Sequence, residues 1–85
     1  MENIITFNRK ELIKKLKNAP YPILYEIRDN AGFTEFEKKL FIHRYIKNNF
    51  VENVFRYKIF CGKTKYHATH NMILLKVYYY IKSSH

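Results

Sequence analysis

The sequence has little of what builds β-rich or cross-linked folds. Two glycines and two prolines in 85 residues leave few turns, which weighs against a many-stranded sandwich and in favour of helices. A single cysteine, Cys61, excludes an internal disulfide and suits a reducing compartment. No apolar run develops at the start, because Asn8, Arg9 and Lys10 interrupt it, so a signal peptide is not expected. Residues 72–81 are too few to cross a bilayer and include Lys76. A cytoplasmic protein with no membrane association is the expectation.

Acidic residues are scarce in a position-dependent way. Seven stand against sixteen Lys and Arg, for a net charge of +9, and no carboxylate side chain follows Glu52. A phosphate backbone repels carboxylates, so their absence from the last third points to a polyanionic partner. The same absence leaves catalysis little to use, since metal-dependent hydrolysis needs clustered carboxylates. Gly62-Lys63-Thr64 imitates the end of a phosphate-binding loop, but Tyr57 stands where that motif needs its first glycine. Cys61, His67 and His70 fall short of the four ligands of a structural zinc site. No enzyme, cofactor or metal site is therefore expected. His70 reads as an inward residue and His67 as an outward one.

Apolar residues make up 47% of the chain and aromatics 18%, enough for one domain with a modest core. Ile4, Ile5 and Phe7 are expected to tuck against it. Asn8 with Glu11 marks a helix start, Leu12, Ile13 and Leu16 its buried stripe, and Pro20 and Pro22 its end. Pro22 opens a second helix with Ile23, Leu24 and Ile27 inward, followed by a turn at 29–32. Residues 1–32 thus form an N-terminal helical cap. Thr34 and Glu37 have the spacing of a capping box, predicting a helix to about Lys47 that buries Phe36, Leu40, Phe41 and Tyr45. A short helix over 51–59 and a turn at 60–62 lead to a long last helix beginning at Lys63. The expected fold is all-α, about five helices in one compact domain, with 33–85 ending in a helix-turn-helix.

In the last helix, Tyr66, His70, Ile73, Val77 and Tyr80/Ile81 recur at helical spacing as an inward stripe. The strand propensity of 77–81 yields to that unbroken period. The opposite side of the first half carries Thr64, Lys65, His67, Ala68 and Asn71, beside Lys63. These cationic, hydrogen-bonding or small side chains suit a DNA major groove. Arg56 and Lys58, at the end of the preceding helix, are candidate backbone contacts. Asn71 is a candidate for adenine and Ala68 for a thymine methyl. Further on, Leu75, Tyr78 and Tyr79 make the outer side apolar, a candidate protein interface.

Residues 33–81 resemble the helix-turn-helix of sigma-factor region four, and more narrowly the ArpU/RinA-type transcription regulators of phages. The resemblance rests on 33–41 (FTEFEKKLF), Arg44-Tyr45, 63–67 (KTKYH) and 73–77 (ILLKV). It implies a DNA-binding transcription regulator of phage or mobile-element type. Phe55 or Arg56 stands where that family has a small residue, and Gly62 where it has a serine cap. These departures, with the apolar outer side, motivate a second reading: an interaction module for RNA polymerase or another transcription regulator. A homodimer is a third arrangement, because palindromic sites are read by dimers.

Overall fold

The computed structural model describes residues 8–83, and all of its regular elements there are helical. The expected packing of Ile4, Ile5 and Phe7 lies outside the described residues. Helix α1 (Arg9–Asn18) starts at Asn8, whose side chain accepts from the Glu11 N–H at 3.1 Å. Helix α2 (Tyr21–Asn30) takes Pro22 into its first turn, where a missing N–H costs nothing. Asn18 and Asn30 close the two helices alike, each donating its amide to the carbonyl four residues back. Gly32 then turns the chain at φ 79°, a left-handed conformation that glycine adopts without strain.

Helix α3 (Glu35–Phe41) carries the expected capping box. The Thr34 hydroxyl accepts from the Glu37 N–H, and the Glu37 carboxylate accepts from the Thr34 N–H at 2.9 Å. The chain then widens into a π-helical turn, Ile42–Ile46, closed by Lys47 N–H to Ile42 C=O. The next segment repeats the device. Helix α4 (Val51–Asn53) runs into a second π turn, Val54–Lys58, closed by Ile59 N–H to Val54 C=O. Two residues past each π turn stands a residue of positive φ, Asn48 at 62° and Phe60 at 50°. Helix α5 (Lys63–Ser83) follows, roughly 31 Å long at 1.5 Å per residue.

One apolar cluster draws on every helix. Leu12 and Leu16, Leu24 and Ile27, Leu40 and Phe41, Val54 and Phe55 belong to it together with Tyr66, Ile73, Leu74 and Val77 of α5. The buried stripe of α5 is the expected one with two adjustments. Leu74 joins it fully buried, while Tyr80 is half-buried and Ile81 exposed. Ile23, expected inward, is exposed; Leu24 and Ile27, three apart, share the buried stripe of α2, and Ile23 is turned 100° from Leu24 toward its edge. No helix among the described residues is long and apolar enough to cross a membrane.

A polar clamp fixes α5 along α3. Lys76 Nζ donates to Glu37 Oε1 at 2.6 Å and to the Gly32 carbonyl at 3.1 Å. Glu37 is buried, so its oxygen serves the helix cap and the ammonium together. Glu37→Ala removes both functions and is expected to lower unfolding free energy by about 2 kcal/mol in urea denaturation. Glu35→Ala, at an exposed site in the same turn, should change it far less.

Candidate nucleic-acid interface

The first three turns of α5 offer one continuous outer surface. Lys63, Thr64, Lys65, His67, Ala68 and Asn71 are all exposed, while Tyr66 and His70 between them are buried. At 100° per residue, Thr64, Ala68 and Asn71 lie near the middle of that surface, with Lys63 and Lys65 at its flanks. Gly62 supplies only its carbonyl, accepting the Tyr66 N–H. Arg56 and Lys58 are exposed at the end of the preceding segment.

Several of these side chains already have partners. Arg56 pairs with Glu52 at 3.2 Å, both on the surface, a contact worth little in water. The Lys65 ammonium sits 4.5 Å from the centroid of the Phe36 ring. Arg9 Nε donates to Asn71 Oδ1 at 2.8 Å. A bidentate pair with adenine needs both the oxygen and the nitrogen of an asparagine amide, so Asn71 would have to release Arg9 first. Lys63, Thr64, Lys58 and His67 make no hydrogen bond or ion pair through their side chains among the described residues.

The apolar end of α5 differs from expectation at one residue. Leu75 and Tyr79 are exposed, but Tyr78 is half-buried, packed against the core and edge-on to Tyr79 at 5.4 Å. Its place on the exposed side is taken by Met72. Met72, Leu75 and Tyr79 recur at three and four residues and continue the line of Ala68.

What holds the surface in place is a buried polar group behind it. His70 Nε2 and the Tyr45 hydroxyl are 2.5 Å apart, and Arg9 Nη2 lies 3.4 Å from His70 Nδ1. A guanidinium has only donors, so Nδ1 must accept, Nε2 carries the proton, and the Tyr45 oxygen receives it. Burial, then the charges of Arg9 and Arg44, push the His70 pKa down to about 4. Burial likewise raises the Tyr45 phenol well above its ordinary range. His43 is shifted down in the same way, first by burial and then by Lys47, Lys58 and Lys39. With both His70 nitrogens engaged, that ring is no metal ligand. No three His, Cys, Asp or Glu side chains among the described residues are grouped to hold an ion.

The sequence reading missed four residues near this surface. Arg9 reaches it from α1. Lys17 and Arg44 line a depression of about 600 Å³ with Asn48, Asn49 and Phe50. Phe50 also borders a second depression, about 900 Å³, that reaches Arg56, Lys63 and His67. No periodicity links residues so far apart in the chain. Phe50 alone left a trace: a phenylalanine just after two asparagines, where a helix starts and a polar cap is favoured. No family model, no curated protein and no solved structure matches this chain.

The His70 arrangement has a pH signature. In the unfolded chain His70 takes a proton below its ordinary 6.5, whereas the fold resists until about 4. Stability is therefore complete above pH 6.5 and falls as pH drops through this window, by about 3 kcal/mol in total. His43 adds in the same direction. Imidazole resonances followed by NMR should leave His70 unprotonated at pH 5, and urea midpoints should fall between pH 6.5 and 4.

Proposed function

We propose that this protein is a DNA-binding transcription regulator of phage or mobile-element type. In this reading α4, the 59–62 turn and α5 act as a helix-turn-helix, with the start of α5 in the major groove. One observation carries it: six candidates on α5 (Lys63, Thr64, Lys65, His67, Ala68 and Asn71) are exposed together on a helix whose other face is sealed in the core. The chain also has no carboxylate side chain beyond Glu52 to repel phosphate. Thr64, Ala68 and Asn71 face the base edges, and Lys63, Lys65, His67, Arg56 and Lys58 contact the backbone on either side. Asn71 reads adenine when Arg9 swings from its amide to a phosphate. Affinity for duplex DNA should drop roughly a thousandfold between 50 and 200 mM salt if half a dozen phosphates are neutralised. Lys65→Glu should weaken binding and make that dependence shallower in a gel-shift series. Salt-insensitive binding, or none, removes this reading.

A second reading has its own observation. Met72, Leu75 and Tyr79 form an exposed apolar line on α5 beyond the DNA-facing turns. It fits a protein surface such as RNA polymerase or another transcription regulator, or a second copy of this chain. Sedimentation separates the last case from the others. A dimer that dissociates on Tyr79→Glu supports self-association, and a monomer in both forms excludes this line as a dimer seam. Purified RNA polymerase is the direct probe for that outcome.

A further inference from the structure

Phe50 and Phe60 bracket the 51–58 segment, and each breaks a local rule. Phe50 occupies the N-cap of α4, where Ser, Thr, Asp or Asn would satisfy a free N–H, and it makes no side-chain cap. It is 82% exposed, so no burial compensates. Phe60 holds a left-handed φ of 50° and is 78% exposed, although Asn or Gly is the residue suited to that conformation. Asn48 fills the equivalent place after α3 with a suitable residue. Positions that depart from local preference without gain in packing are where function is to be sought.

The surroundings of Phe50 say what it would meet. It stands between the two depressions and lines both. On one side lie Lys17, Arg44, Asn48 and Asn49. The Arg44 guanidinium is half-buried, pairs with no carboxylate among the described residues, and has its Nε without a partner. On the other side lie Arg56, Lys63 and His67, with Glu52 the one carboxylate and already paired to Arg56. Cations in two hollows with an exposed aromatic ring on the ridge between them match a strand of nucleic acid with an unstacked base. The interior of a duplex offers no free base face to such a ring.

We propose that the track from Lys17 across Phe50 to Lys63 binds single-stranded nucleic acid. Phosphates occupy the two depressions and one unpaired base stacks on Phe50. This shares the polyanionic partner of the regulator reading but not its groove geometry, so each can fail alone. Beside duplex-reading α5 turns, the track would favour DNA that is partly opened.

The test uses the full chain and fluorescently labelled probes: a blunt duplex, oligo-dT and oligo-U of equal length. Wild-type protein should bind the single strands, and Phe50→Ser should lose roughly tenfold of that affinity while Phe50→Trp retains it. Phe50→Ser supplies a capping hydroxyl, so its melting temperature should equal or exceed that of the wild type. A fold defect therefore cannot mimic the loss. Lys17→Glu should weaken single-strand binding and leave the blunt duplex unaffected. Equal weakening of both single strands assigns the site to shared base and phosphate chemistry. A preference for oligo-U assigns it to RNA through the 2′-hydroxyl. Absence of single-strand binding, or Phe50→Ser affinity equal to wild type, overturns the proposal whatever the blunt duplex does. Loss of duplex binding alone overturns the groove reading and leaves this one standing.

Discussion

The buried contact between Tyr45 and His70 is the constraint on which the rest of the architecture depends. It lies within a chain of rings running Phe33, Phe41, Tyr45, His70, Tyr66 and Phe55, with successive centroids 5.2 to 5.8 Å apart. Such pairs add about 0.5–1.5 kcal/mol each beyond area burial. The chain ties the loop before α3, its π turn, the middle of α5 and the second π turn into one rigid line. Arg9 closes the polar end from α1. Because His70 is neutral and oriented by two partners, α5 has one rotational setting, and that setting decides which residues face outward.

Lys76 enforces the same setting from the other end of the helix. Its ammonium joins the Glu37 carboxylate and the Gly32 carbonyl, and the Tyr80 hydroxyl donates to Glu26 of α2 at 2.6 Å. The cation at 76 therefore belongs to the scaffold, whereas those at 63 and 65 remain on the surface. A net charge of +9 says nothing of this division. It arises because a buried carboxylate needs a partner, and the register of α5 brings Lys76 within reach of Glu37.

The two π turns shape the middle of the molecule. Each lengthens a helix by a residue and is followed two residues on by a left-handed one, with N–H bonds from Asn49 to His43 and from Cys61 to Phe55. The same geometry is occupied once by a residue suited to it and once by a phenylalanine. Local backbone energy alone would put asparagine or glycine in both places. The exposed rings at 50 and 60 are thus costs carried by an otherwise consistent fold, and the one at 50 borders Lys17, Arg44, Arg56 and Lys63.

Periodicity and capping chemistry were enough to determine the helices, because both act within a few residues. Asn8, Thr34 with Glu37, the prolines and the three-and-four spacing from Tyr66 to Val77 give the starts and most of the inward faces directly, but not the two π turns or the exposure of Ile23. The outward position of Lys63, Thr64, Lys65, His67, Ala68 and Asn71 follows from the same spacing. Tertiary structure alone decided which of those side chains were already held, through contacts such as Arg9 with Asn71 across 62 residues of chain. It also decided that Tyr78 packs inward while Met72 does not, and that Lys17, Arg44, Phe50 and Lys63 border two neighbouring hollows. Those outcomes depend on the angles at which whole helices meet. Such angles are set by the summed packing of the core, and no local pattern encodes them.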